Sequence, residues 1–220
     1  MDTIKQNVTL LAKGGICRVA LDILSDSNCY QVSQICDDGN LGRDQFHGFI
    51  PCVTTIEKYV KDCSPGDLFF NCIGNYHAMN MRFAYSFVLR QKGCKSINII
   101  HPRSFISETV LYGDGNLICP NVVLNTNVKI GNDNVLFSGT VIEHDSCIGN
   151  NVYFSPSVTL CGKVSVDDNV YIGPGAVIAA GIHIGSRSII GAGAVVLKDV
   201  EEASVIYGYS SNVVKKNELW

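Results

Sequence analysis

His144 lies between Glu143 and Asp145 in the run VIEHDSCIGNNVYFSPSVTLCG, residues 141–162. Imidazole takes up and releases a proton near neutral pH more readily than any other side chain. A carboxylate beside it can fix its tautomer and hold the charged ring. The residues around this trio are small or branched and apolar, and a purely structural repeat has no use for it. On residue types alone His144 reads either as a solvated turn residue or as a general base. Cys147 and Cys161 are nearby. Nothing beside either would stabilise a thiolate, which argues against a cysteine nucleophile.

The elements that must carry His144 follow from periodicity. From Ile100 to Val196 every sixth residue is apolar or aromatic, without a break in phase. A period of six fits neither an α-helix nor simple strand alternation. It fits a parallel β-helix, in which each unit supplies a short strand and a turn. Glycine often follows the repeat residue (Gly113, Gly131, Gly149, Gly173, Gly185, Gly191). The expectation is that it permits the tight turn. Two residues before the repeat residue, small or β-branched residues recur, as at Val128, Thr140, Val152 and Val158.

The first hundred or so residues have a different rhythm. NVTLLA, CYQVSQICDD, GDLFFNCIGN and SINII read as strands. ICRVALDILSD, VTTIEKYVKD and HAMNMRFAYSFVLRQKG read as helices. Thr54 or Thr55 is the expected N-cap of the second helix, and Gly93 ends the third. Strand–helix alternation predicts a small parallel sheet with helices on its faces. The fold class expected is α/β plus β-solenoid: a Rossmann-like sheet domain over residues 1–99, then a β-helix with a C-terminal tail over 100–220.

Composition narrows the function. A chain of 220 residues that is 46% hydrophobic can bury a substantial core. A formal net charge of −3 argues against nucleic acid as partner. No apolar run approaches the roughly 20 residues of a membrane span. The start MDTIKQNVTLLAKGG lacks a signal-peptide layout, so a cytoplasmic location is expected. The 10 cysteines contain no CxxC pair, and no metal site is expected.

The hexapeptide run, with IHPRSFIS, IEHDSCIGNNVYFSPSVTLCGKVSV and IGAGAVVLKDV behind a Rossmann-like half, resembles a known family. It is similar to the hexapeptide-repeat acetyltransferases of bacterial sugar-nucleotide and sialic acid biosynthesis, of the bacillosamine-pathway type. The resemblance implies a left-handed β-helix, a homotrimer and acetyl-CoA as cosubstrate. It implies acetyl transfer to the amino group of a UDP-linked amino-deoxy sugar by direct attack in a ternary complex. His144 would be the base, Asp145 its partner, and Gly162 the residue whose N–H meets the acetyl oxygen. Gly14, Gly15, Asp37, Asp38, Gly74, Asn75 and Tyr153 would bind the acceptor, with Arg82 a further candidate. Gly162, Gly173, Ala180, Gly191 and Lys215 would line the coenzyme site.

The match has departures. Tyr153 stands where the family commonly has a second histidine. In AKGGICR, Ile16 replaces the loop histidine and Cys17 a loop glycine. Lys13 and Arg18 add charge beside that loop. Asp37 and Asp38 read equally as an Asp-Asp-Gly turn. An O-acetyltransferase acting on a sialic-acid-type sugar and a non-catalytic sugar-nucleotide scaffold are the alternatives. A zinc carbonic anhydrase of the same fold would need three converging histidines. His101, His144 and His183 are unsuitably spaced for that, and His101, in HPRS, is suited to capping a turn.

Overall fold

The computed structural model describes residues 5–39, 42–43, 51–74 and 76–208. The N-terminal part runs β1 (Gln6–Leu11), α1 (Gly15–Ser25), β2 (Tyr30–Cys36), β3 (Gly42–Arg43), β4 (Pro51–Thr54), α2 (Ile56–Asp62), β5 (Leu68–Asn71), α3 (Met79–Gln91) and β6 (Lys95–Ser96). These strands form one sheet in the order β3-β4-β2-β1-β5-β6, parallel except where β3 meets β4. Val8, Leu10 and Leu11 are wholly buried, as a central parallel strand covered on both faces requires. Thr55 caps α2 by accepting the Lys58 N–H at 3.1 Å. Gly93 stops α3 with a left-handed φ of +83°.

The expected last strand, SINII, divides. Ser96 stays in this sheet, whereas Ile99–Ile100 pairs with Leu117–Ile118 and opens the solenoid. The solenoid has three parallel sheets of seven, six and five short strands. The first face runs from Ile99–Ile100 to Val205–Ile206, the second from Phe105–Ile106 to Val195–Val196, and the third from Leu111–Tyr112 to His183–Ile184. Neighbouring strands on each face pair in register one coil apart, as Leu117 does with Val135 and Val123 with Val141. The repeat residues point inward, and Ile118, Leu124, Leu136, Ile142, Phe154 and Leu160 are wholly buried. The fold class is the expected one, a small Rossmann-like sheet followed by a left-handed parallel β-helix.

The corners correct the sequence expectation for glycine. The left-handed residue falls two positions beyond the glycines named above. It is a glycine at Gly115, Gly139, Gly175, Gly181 and Gly193, with φ between +65° and +77°, and elsewhere Asn121, Asn127, Asp133, Asp145, Asn151, Ser157, Lys163, Asn169 or Arg187, with φ between +54° and +61°. Asn and Asp tolerate that conformation best among side-chain-bearing residues. Its N–H donates to a carbonyl of the preceding coil, as Asp145 does to Thr126 and Lys163 to His144, so corner backbone groups are satisfied between coils.

The glycines after the repeat residue serve close stacking instead. A Cβ on Gly173 would sit 2.6 Å from the Ala192 nitrogen, and one on Gly131 2.6 Å from the Gly149 oxygen. Gly173→Ala is therefore expected to cost about 1–3 kcal/mol and to lower the melting temperature by several degrees. Differential scanning calorimetry checks this, and a melt superimposable on the parent's would contradict it.

Two features at the ends of the solenoid matter later. Near the start, α3 lies against the first face. Asn151 Nδ2 donates to the Met79 carbonyl at 3.0 Å, and Arg90 grips both carboxylate oxygens of Asp133. At the far end the last coil is two residues short. Ile189 pairs with Val205 and Ile184 bridges to Val200, out of step with the earlier pairing of Tyr171 with Ile189.

Candidate active site

His144 sits on the corner that joins the second face to the third. Asp145 holds φ +58° there, and its carboxylate meets the ring of its predecessor. His144 Nδ1 and Asp145 Oδ2 are 2.9 Å apart. From the coil before, Asn127 Nδ2 donates to the other oxygen, Asp145 Oδ1, at 3.1 Å. Both oxygens are thus engaged, and the His144 contact, then the Asn127 amide, hold the Asp145 carboxyl below its ordinary range. An ionised carboxylate only accepts, so Nδ1 carries the hydrogen and Nε2 presents a lone pair. Glu143 takes no part; its Oε2 accepts from Asn125 Nδ2 at 2.9 Å.

The ring lies over Gly162, one coil further on. A Cβ at Gly162 would stand 2.5 Å from His144 Nε2 and 2.7 Å from its Cε1. Only glycine leaves the ring this position. Below Gly162 in the same corner comes Ala180, exposed and equally small. The basic nitrogen therefore heads a column floored by small residues. His144 is half exposed, with 53% of its side chain accessible, so the site opens outward.

A second group of named residues gathers at the carboxyl edge of the N-terminal sheet. The order of strands reverses between β1 and β5, and crevices at such a reversal are where open α/β sheets bind ligands. Gly14 and Gly15 begin α1, whose N-terminus has no side-chain cap, and nothing lies within 4 Å of a side chain built on either. Open amide groups at a helix start favour an anion. Gly74 is pressed against α1, where a Cβ would lie 2.0 Å from Ile16 Cδ1. Asp37 ties two loops together, accepting from Lys13 N and Gly39 N, each at 2.9 Å. Asp38 accepts from Ile56 N at 2.8 Å at the start of α2.

A model of the bacterial transferase hexapeptide (six repeats) matches residues 163–198. PerB from Caulobacter crescentus, solved in complex with CoA and GDP-perosamine, superposes with a TM-score of 0.82 at 26% identity, over 94% of this chain and 96% of that one. The chain is similar to hexapeptide-repeat acyltransferases. A histidine-to-alanine mutant of the Caulobacter crescentus GDP-perosamine N-acetyl transferase matches at 25% identity, with a TM-score of 0.81, over 96% of this chain and 98% of that one. The acetyltransferase domain of PglB from Neisseria gonorrhoeae FA1090, in complex with acetyl coenzyme A, shares the fold at 21% identity, with a TM-score of 0.83, over 93% of this chain and 97% of that one. No curated protein sequence matches this chain.

Within one chain the named residues fall into separate groups. His144, Asp145, Gly162 and Ala180 share one corner. Gly173 and Gly191 occupy a different corner, after the first face. There both serve coil stacking, because their phase in the repeat is that of the stacking glycines. Tyr153 points outward from the first face, stacked on Tyr171 at 5.2 Å and tilted against Phe137 at 5.5 Å. Burial pushes its phenol up to about 12, so it can donate but not act as a base near neutrality. Asn75 and Lys215 lie outside the described residues. His101 does cap a turn, its Nδ1 accepting the Arg103 N–H at 3.0 Å.

The chain also holds residues whose part was not anticipated. Asn127 stands one coil before Asp145, and the 18-residue register would have found it. His183 pairs with Asp167 at 3.0 Å on the third face, away from the His144 corner. Among the described residues no three His, Cys, Asp or Glu side chains converge as a metal site would need. No described helix is long and apolar enough to cross a membrane.

Proposed function

We propose that this acyltransferase moves the acetyl group of acetyl-CoA to the amino group of a nucleotide-linked amino-deoxy sugar, with His144 as general base. One observation carries the reading: Nε2 of a ring locked by Asp145 and Asn127 lies over a glycine backbone. The acceptor amine attacks the thioester carbonyl while Nε2 takes its proton. The Gly162 N–H has no hydrogen bond among the described residues and stabilises the developing oxyanion. The C–S bond then breaks, and the proton on His144 passes to the departing thiolate, giving free CoA. Gly162 and Ala180 leave room for the pantetheine arm. The domain over residues 1–99 holds the nucleotide at the α1 start, and the β-helix over 100–220 holds the chemistry.

The reading places the site between copies of the chain in a homotrimer. The outward residues of the second face are Phe105, Val123, Val141, Thr159, Val177 and Val195, an apolar stripe interrupted by a single threonine. Phe105 is 58% and Val195 63% exposed. Exposed apolar strips of this length mark an interface. A neighbouring copy would bring to the His144 corner the Tyr153, Gly173 and Gly191 that one chain cannot supply.

The test is release of free thiol from acetyl-CoA with a panel of acceptors. UDP-, GDP- and dTDP-linked 4-amino sugars form one arm and a free sialic acid the other. Thiol release with one of the amino sugars is expected. The UDP sugar follows from the sequence resemblance, whereas the similar PerB structure holds GDP-perosamine. Turnover of sialic acid alone would replace N- with O-acetylation, and binding without turnover of any acceptor would leave a scaffold.

A further inference from the structure

Two segments at the amino edge of the N-terminal sheet are tied by their backbones. Gly66 N donates to the Gly93 carbonyl at 2.9 Å, and Lys95 N to the Asp67 carbonyl at 2.8 Å. A cysteine sits beside the tie in each segment. Cys63 follows α2, and Cys94 follows Gly93. Both are free thiols, and they belong to one apolar cluster with Tyr59 and Leu89. The Cys94 thiol donates to the carbonyl of Ser64, the residue after Cys63, at 3.5 Å. The Cys63 thiol donates to the Val60 carbonyl at 3.3 Å. The two thiols also hydrogen-bond with each other. From such contact only a short movement separates them from the roughly 2 Å of a disulfide.

The two thiols differ in access. Cys63 lines a cavity of about 300 Å³ with Gln34, Thr54, Lys58, Asp62 and Asp67, so a small polar solute meets it first. Cys94 stands behind it and is 4% exposed. Burial, then the hydrogen bond with Cys63, push the Cys94 thiol up to about 12, which keeps it protonated. Arg90, in the last turn of α3, grips Asp133 of the solenoid and anchors the Cys94 side. A second pair, Cys17 and Cys72, hydrogen-bonds in the same way. Both of its members are buried, and buried structural thiols are inert.

We infer that Cys63 and Cys94 are a redox pair, which hydrogen peroxide entering by the cavity converts into a disulfide between the end of α2 and the turn after α3. The Cys63 thiolate attacks one peroxide oxygen and becomes a sulfenic acid. The O–O bond breaks, and the other oxygen leaves as hydroxide and takes up the proton that Cys63 lost. The Cys94 sulfur then attacks the Cys63 sulfur. The S–S bond forms, the S–O bond breaks, and the Cys94 proton departs with that hydroxide as water. Two thiols are oxidised by two electrons, and one peroxide becomes two waters. The bond closes a loop of roughly 30 residues and so constrains the unfolded chain. It forms at the amino edge of the sheet, where β5 pairs with β6 through Leu68 and Lys95, and leaves the crevice at the carboxyl edge open.

The test treats the full chain with hydrogen peroxide, alkylates the remaining thiols in denaturant and reads the unreduced peptides by mass spectrometry. The expected product is a Cys63–Cys94 cross-linked peptide, two hydrogens lighter than its two thiol peptides together and split by dithiothreitol. The oxidised protein should melt about 3–10 °C higher than the reduced one, and Cys63→Ser should show no such rise. Cys63 and Cys94 recovered as free thiols once the exposed Cys29 and Cys147 have reacted overturn the inference. A bond from Cys63 to any other cysteine, or one between Cys17 and Cys72 in its place, does the same. So does a rise in melting temperature that persists in Cys63→Ser.

Discussion

His144→Ala is expected to lower kcat by a factor on the order of 10² to 10⁴, the usual contribution of a positioned general base. Affinity for acetyl-CoA and the assembly state should be unchanged, because the ring is half exposed and packs no core. Stopped thiol assays with calorimetry of coenzyme binding separate the two effects. Unaltered turnover would remove the base assignment. The Asp145 carboxylate should persist into mild acid. The Asp145 carboxyl is held below its ordinary value by His144 and Asn127. Its contribution is complete above the ordinary carboxylate pKa and is lost only as pH falls through the lower, folded value. Through the neutral range the carboxylate thus stays ionised and keeps the hydrogen on Nδ1.

Gly162→Ala is expected to lose roughly 10²-fold in kcat, an effect out of proportion to one methyl group. The added carbon would stand 2.5 Å from His144 Nε2. A ring displaced by about 1 Å no longer presents its lone pair to the acceptor, and misplacement on that scale costs about 10²-fold. The atoms that must yield belong to an exposed side chain, so the fold should absorb the change and melt near the parent temperature. Gly173→Ala inverts this pattern, because its added carbon meets backbone. It loses stability, and within its own chain it leaves the His144 ring over Gly162 in place. Circular dichroism melts and thiol release on the two variants give four numbers. Full activity in Gly162→Ala would mean that the ring does not work from the position described.

The pairing of these two glycines shows what the sequence could and could not disclose. The unbroken six-residue phase from Ile100 to Val196 displayed the solenoid, since only an inward side chain on each short strand explains it. The job of each glycine was hidden. Local reasoning assigns the glycine after the repeat residue to the turn, but the left-handed conformation falls two positions later, on residues such as Asn127 and Asp145 as well as on Gly175 and Gly181. Glycine is required where one coil touches the next, a contact between residues far apart in the chain. Ile99–Ile100 was hidden for the same reason: its allegiance is decided by Leu117–Ile118. His144 and Asp145 were legible because they are adjacent, whereas Asn127 needed the coil length. Arg82 falls on the helical face of Met79, Ser86 and Leu89, so its burial follows from spacing. That its guanidinium finds no hydrogen-bond partner among the described residues does not.

The two-residue deficit in the last described coil bears on the shape of the solenoid there. A stack of in-register parallel coils presents open backbone at its terminus, which invites another molecule to continue the ladder. Ile189 with Val205 and Ile184 with Val200 are out of step with the pairing above them. Ile206 nevertheless stays stacked on Ile190, inward residue on inward residue, so the missing residues are absorbed at the corner between Val196 and Val200. At the opposite end, α1 packs against the first strand, Ile99–Ile100. The first strand is thereby covered, while the far end contracts at the corner position that carries His144, Gly162 and Ala180 in the coils before it.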